Sequence, residues 1–208
     1  MSVIEPKPIH DDCYKTVTGF GESSYKDRGS KFIGLVYHVE KEEEIQDILN
    51  TLKKQYYDAR HICYAWILDP ENPAYRINDD GEPANSAGTP IYHQLLSNEL
   101  YNVIGIVIRY FGGTKLGVPG LINAYKTATE ETLQLSKVEE KFITCTLKID
   151  FPYSLMNDVM RVIKNLNLEI TKEDMGLRGG YYLRFRKKLK EEVENQFTLL
   201  HELNFQYF

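Results

Sequence analysis

The chain has 208 residues and a mass of 24.2 kDa, which leaves room for one large or two small domains. A hydrophobic fraction of 42% with 12% aromatics supports a packed core, and 26% charged residues is ordinary for a globular chain. Net charge is −5, carried by residues 1–137 with 14 Lys/Arg against 19 Asp/Glu, while residues 138–208 hold 11 of each, so bulk attraction to nucleic acid is excluded and any such contact must come from a local patch.

Nothing in the sequence approaches the roughly 20 apolar residues of a membrane span. The opening MSVIEPKPIHDD has no apolar stretch of signal-peptide length. Cys13, Cys63 and Cys145 are odd in number, far apart and without CxxC spacing. A disulfide framework or zinc knuckle is therefore not expected, and reduced thiols in the cytoplasm are.

In chain order, residues 1–15 read as a loose arm or an edge strand. Tyr14–Tyr25 and Ser30–Val39 alternate as two strands joined by a turn at Lys26-Asp27-Arg28-Gly29. Glu42–Gln55 places Ile45, Ile48, Leu49 and Leu52 on one helical face, with glutamates in its first turn and Lys53-Lys54 in its last, as the helix dipole favours. His61–Leu68 predicts a strand, Asp69–Pro73 a turn, and Tyr75–Asn78 a short extended piece. A helix is expected from Pro90 to Ser97. Val103–Ile108 is an almost unbroken β-branched run that predicts a buried strand, ending near Tyr110. A long helix follows from Pro119 to Leu135.

A boundary is expected near Ser136–Lys141, dividing the chain into domains 1–137 and 138–208. Beyond it the order reads strand 142–150, helix 153–165, strand 168–174, strand 180–189, helix 191–201 and a tail strand 203–208. This βαββαβ order suggests a ferredoxin-like domain. The fold class is thus α+β.

Four groups of residues carry candidate chemistry. The acidic turn Asp79, Asp80 and Glu82 around Gly81 offers oxygen ligands for Mg²⁺ or an acid–base pair. It equally suits a solvated turn in which Asp caps backbone amides. Arg109 and Lys115 flank a loop with Gly112, Gly113 and Gly117, and Gly120 lies just beyond it. Amides, guanidinium and ammonium around a phosphate make an anion or RNA contact. The other reading is a tight strand-to-helix connection in which Arg109 pairs with a carboxylate of the 79–82 turn. Gly112 to Gly117 has GxxxxG spacing, but Val118-Pro119 stand where a nucleotide P-loop needs Lys and Ser/Thr. His61 and Cys63 share a strand face, roughly 6.5–7 Å apart, which is beyond activating hydrogen-bond reach. His61 could instead partner Glu82 across strands. Finally, residues 178–190 hold six cations and no acid. Alternation puts Tyr182, Arg184, Arg186 and Lys188 on the open face of a sheet, with Arg178 beside them, as in single-stranded RNA binders. A solvated face balanced by Glu169 and Glu173 is the competing account.

Motifs in the first domain occur in a specific order: Ser30-Lys31-Phe32; Ala59, His61, Cys63 and Ala65; DDGEP at 79–83; Ser86-Ala87-Gly88 and Pro90; and RYFGGTKLG at 109–117. This set resembles the IMPACT family, in its bacterial branch, across about half the chain. Asn85-Ser86 depart from the family's glycine or small hydroxyl residue, and Tyr92 from an aliphatic one. The resemblance implies a first domain like the fourth domain of elongation factor G, with a left-handed βαβ crossover, and a second like that factor's last domain. It also implies a translation-associated role, since the family's eukaryotic members are linked to restraint of a starvation-sensing initiation-factor kinase. The expected function is non-catalytic binding of ribosome, RNA or a translation regulator, with no cofactor and no metal. A phosphate- or metal-dependent hydrolase using Asp79, Asp80 and Glu82, and a protein-interaction adaptor without nucleic-acid binding, are the rival classes.

Overall fold

The computed structural model describes residues 4–208. The first three positions of the arm expected over 1–15 lie outside these. The chain packs as two compact units. One holds Tyr14–Lys141 with residues 4–10, and the other holds Phe142–Phe208 with Asp11–Cys13. The division is therefore not a single cut in the sequence.

The first unit is built on a five-stranded antiparallel sheet of β2 (Phe20–Asp27), β3 (Ser30–His38), β4 (His61–Leu68), β5 (Ala74–Asn78) and β6 (Val103–Tyr110), in the order β2-β3-β6-β4-β5. The strand predicted over Tyr14–Tyr25 is two strands. Gly19, at φ +70°, breaks it, and β1 (Cys13–Val17) pairs instead with β7 (Val138–Phe142), a strand the sequence reading did not anticipate. The hairpin between β2 and β3 closes with Asp27 opposite Ser30, so only Arg28 and Gly29 form the turn. Both have positive φ, the geometry that matches strand twist.

The sheet is covered on both sides, which explains why β6 at its centre is apolar from Val103 to Ile108. Ile104, Ile106 and Ile108 face α1 (Glu42–Gln55) through Ile45, Leu49 and Leu52. Val103 and Val107, of opposite parity, face α2 (Gly88–Ser97) and α3 (Gly117–Leu135) through Tyr92, Leu95, Tyr125 and Ala128. Arg109 shares the parity of Val103 and Val107, so alternation turns it toward α3.

The second unit has β8 (Thr144–Phe151), α4 (Met156–Asn165), β9 (Glu169–Glu173), β10 (Gly179–Arg186), α5 (Lys190–Thr198) and β11 (Asn204–Tyr207). Its four strands are antiparallel in the order β11-β8-β10-β9. Leu147, Ile149 and Phe151 of β8 meet Tyr181, Leu183 and Phe185 of β10 over Val159, Val193 and Phe197 of the two helices. The strand predicted over 180–189 stops at Arg186. Lys187–Leu189 form a turn of 3-10 helix that leads straight into α5.

Candidate functional site

At one end of the sheet, Phe32 of β3, Arg109 of β6 and His61 of β4 form a cross-strand row. The Arg109 guanidinium lies 5.5 Å from the Phe32 ring centroid and 5.6 Å from that of Phe111. Its Nη1 donates to Glu82 Oε1 at 2.5 Å. The same oxygen accepts the Tyr125 hydroxyl at 2.9 Å, and His61 Nε2 stands 3.8 Å away. Glu82 is 9% exposed and Arg109 5%, so this is a buried ion pair. Of the two readings of Arg109, the turn carboxylate pairing is therefore present. An anion at this end must work alongside a guanidinium already balanced.

The other two acids of the turn are tied into the backbone. Asp79 accepts the amides of Asn85, Ala87 and Gly88 at 2.8–3.0 Å, capping the start of α2 from nine residues away. Asp80, at φ +42°, accepts the Ile62 amide at 2.6 Å, and its own carbonyl accepts His61 Nδ1–H at 2.7 Å. The three carboxylates thus serve three different partners and do not converge. No group of three or more metal-ligating side chains exists among the described residues. Asn85 takes φ +62°, a conformation its short polar side chain tolerates. Tyr92 fills the core fully and donates its hydroxyl to the Ile4 carbonyl.

Cys63 is fully buried, and its thiol donates to the Asp79 carbonyl at 3.0 Å. Burial and the nearby carboxylates push the thiol well above its ordinary range, against the contact from Tyr125. It packs and braces the turn, and His61 is engaged with Asp80.

The loop after β6 explains its glycines. Gly112 runs so close to the β2–β3 turn that an added Cβ would sit 1.9 Å from the Gly29 carbonyl carbon. Its amide donates to Ser30 Oγ. Gly113 and Gly117 take φ +86° and +70°, turning the chain into α3. Lys115 and Phe111 project from this loop, both exposed. They line two adjoining clefts that share Arg109. One, of about 420 Å³, adds Arg60 and His61, and the other, of about 360 Å³, adds Glu82, Pro83, Leu116, Gly117, Val118 and Leu121. Arg60 and Lys115 make no ion pair among the described residues.

The family model for the Impact N-terminal domain matches residues 28–133, which hold all of these side chains. The chain belongs to the IMPACT family. Among its family relatives, YvyE of Bacillus subtilis is 37% identical over 131 residues, 62% of this chain and 60% of that protein. An IMPACT family member of Haemophilus influenzae is 28% identical over 171 residues, 81% of this chain and 83% of that one. The chain thus spans about three fifths of YvyE. A crystal structure of a hypothetical protein superposes with a TM-score of 0.67 over 95% of this chain and 97% of that one. At 20% identity that likeness speaks for the fold alone.

In this IMPACT chain the basic stripe of the second unit is largely neutralised. Arg184 forks onto Glu169 at 2.8 and 2.9 Å. Arg178 pairs with Asp150 and donates to the Glu202 carbonyl. Arg186 reaches Asp12, whose second oxygen also accepts the Lys188 amide. Tyr182 lies under Lys148 and Lys172, each about 5.3–5.4 Å from its ring centroid, and Lys148 pairs with Asp174. Lys188 belongs to the 3-10 turn, not to the sheet face, because the strand ends at Arg186. The alternation argument for a stripe holds through Arg186 only.

Sequence reasoning missed Arg60, Phe111 and Tyr125 as parts of the first site. Their signals were weak: Phe111 sits inside RYFGGTKLG, while Tyr125 is one apolar-face residue of α3 among many. It also missed Asp12, whose partner lies 174 residues away.

Proposed function

We propose that the chain is a non-catalytic, translation-associated regulatory factor that acts by binding a ribosome, an RNA or a translation regulator in the cytoplasm. The contact is the cleft beside the 109–117 loop, where Arg109, Gly112, Gly113, Lys115 and Gly117 meet Arg60 and Phe111. One observation carries this reading: Arg60 and Lys115 line a cleft without ion-pair partners among the described residues, while the 79–82 carboxylates are bound into the fold. A hydrolase drawing on Asp79, Asp80 and Glu82 would have to break a helix cap, a strand contact and a buried ion pair before reaching substrate. Membership of the IMPACT family supports the translation role. We take residues 1–137 and 138–208 as the functional domains. The first is read as the elongation factor G domain IV type. The second is read as ferredoxin-like, supported by its βαββαβ order and its fourth-first-third-second strand arrangement.

Ribosome co-sedimentation, with identification of whatever cross-links near Lys115, tests the proposal. The wild-type chain is expected to sediment with ribosomal particles at low salt and to lose most of that association as Arg60→Ala, Lys115→Ala. Failure to associate with ribosome, RNA or any translation factor overturns it. So does reproducible phosphoester turnover abolished by Asp80→Asn, which establishes the hydrolase.

A further inference from the structure

The two clefts at the 109–117 loop differ in chemistry yet share Arg109, Phe111 and Lys115. One is basic, with Arg60 and His61. The other holds Glu82, already paired with Arg109, and is otherwise walled by Pro83, Leu116, Val118 and Leu121, whose side chains carry no hydrogen-bonding group. The Glu82–Arg109 pair beneath is balanced, so the positive charge with no ion pair among the described residues comes from Arg60 and Lys115. A further detail lies at the floor. Arg109 Nε is buried and has no acceptor among the described residues, although Nη1 and Nη2 are both engaged. Buried donors of that kind are rare and call for an explanation.

We propose that this double cleft takes an acidic peptide segment of a partner protein, with one apolar side chain in the aliphatic half and a neighbouring carboxylate in the basic half. The inference rests on the reading of this loop as the contact surface and names the occupant. Charge complementarity assigns the acidic side: Arg60, just before β4, and Lys115, on the loop, face it with no ion pair among the described residues. The aliphatic half decides against a nucleobase. A base carries donors and acceptors on its edges, and walls of Pro, Leu and Val would strip water from them without replacement. A leucine or phenylalanine side chain loses nothing there, and an anchor in a desolvated cleft ringed by charge is how interface hot spots are built. Phe111 and Val118, 50% and 46% exposed, are apolar surface that such an anchor would cover.

Fluorescence anisotropy on the full chain tests it with four labelled probes. These are a ten-residue peptide with one leucine beside three glutamates, the same peptide with serine for leucine, the same with lysines for glutamates, and a ten-nucleotide single-stranded RNA. The first is expected to bind at least fivefold more tightly than the others. Lys115→Ala should weaken it at least fivefold, and Val118→Ser should weaken it while leaving the serine peptide unchanged. All of these side chains are exposed, and Lys115→Gln serves if Lys115→Ala lowers the thermal midpoint. Equal affinity for the three peptides overturns the proposal, as does binding that ignores both substitutions. Tighter, Lys115-dependent binding of the RNA also overturns it, but leaves the loop standing as the contact surface. Ribosome association that survives Arg60→Ala, Lys115→Ala removes the contact-surface reading itself.

Discussion

Arg60 and Lys115 on the first unit, and Arg178, Arg184 and Arg186 on the second, look equivalent in sequence: cations near aromatics at the ends or faces of strands. Their surroundings differ. Each arginine of the stripe has a carboxylate within hydrogen-bond distance, one of them delivered by Asp12 from the far end of the chain. The two cations of the cleft stand beside a carboxylate that Arg109 has already taken. A charge run therefore says little about binding until its counter-charges are placed. The cleft is available because a buried arginine neutralises the one acid that lies within it.

The comparison breaks most severely at that buried pair. Arg109→Met should cost about 3–5 kcal/mol, because it leaves Glu82 charged, buried and without its cation. Adding Glu82→Gln should recover a large part of the loss. Denaturant titrations of the single and double variants check this, and a double variant as unstable as the single one would show that the pair is not the cause.

Next in size is the loop that holds Lys115 in place. Gly112→Ala puts a Cβ against the Gly29 backbone and should cost about 1–3 kcal/mol, as overpacking does when backbone must move. The same denaturant titration reads it, and an unchanged midpoint would mean that the loop can swing away from the β2–β3 turn at no cost.

A smaller effect separates the stripe's own arginines. Arg186→Ala should lower the thermal midpoint, since Asp12 is 6% exposed and loses the guanidinium it pairs with, while Arg184→Ala should leave it within error because its pair is exposed. Burial works to raise the Asp12 carboxyl, but hydrogen bonds from Arg186 and the Lys188 amide outweigh it and hold the group below its ordinary 3.8. A folded-state value below the unfolded one gives stability that is present above pH 3.8 and lost as pH falls through the folded value. Arg186→Ala should accordingly move the acid unfolding midpoint to higher pH. An unmoved midpoint would show that the Lys188 amide alone holds Asp12.

Much of this fold was legible because local pattern and global burial agree. Glu42–Gln55 carries its apolar stripe and its end charges, and the helix falls on those residues. Val103–Ile108 is apolar on both parities, and both faces of its sheet are covered. The site was legible in part. The glycines of the 109–117 loop announce a tight turn, and the pairing of Arg109 with the acidic turn follows from two loops that flank one core. Which acid would be chosen was not legible, because Asp79, Asp80 and Glu82 differ in their backbone contacts and not in their chemistry. The end of β10 was missed for a similar reason. Alternation continues past Arg186 in the letters, but Lys187–Leu189 already belongs to the helical entry of α5. Asp12 could not be found by any local pattern, since chain topology alone brings it to Arg186.

The salt dependence of ribosome or RNA association, measured side by side for two double variants, tests the central contrast most directly. Arg60→Ala with Lys115→Ala should lose most of the binding. Arg178→Ala with Arg184→Ala should keep both affinity and slope. If the second variant instead loses affinity, and its log–log salt slope falls by about 0.7–0.9 for each cation removed, the stripe is the nucleic-acid face and the cleft is not the contact.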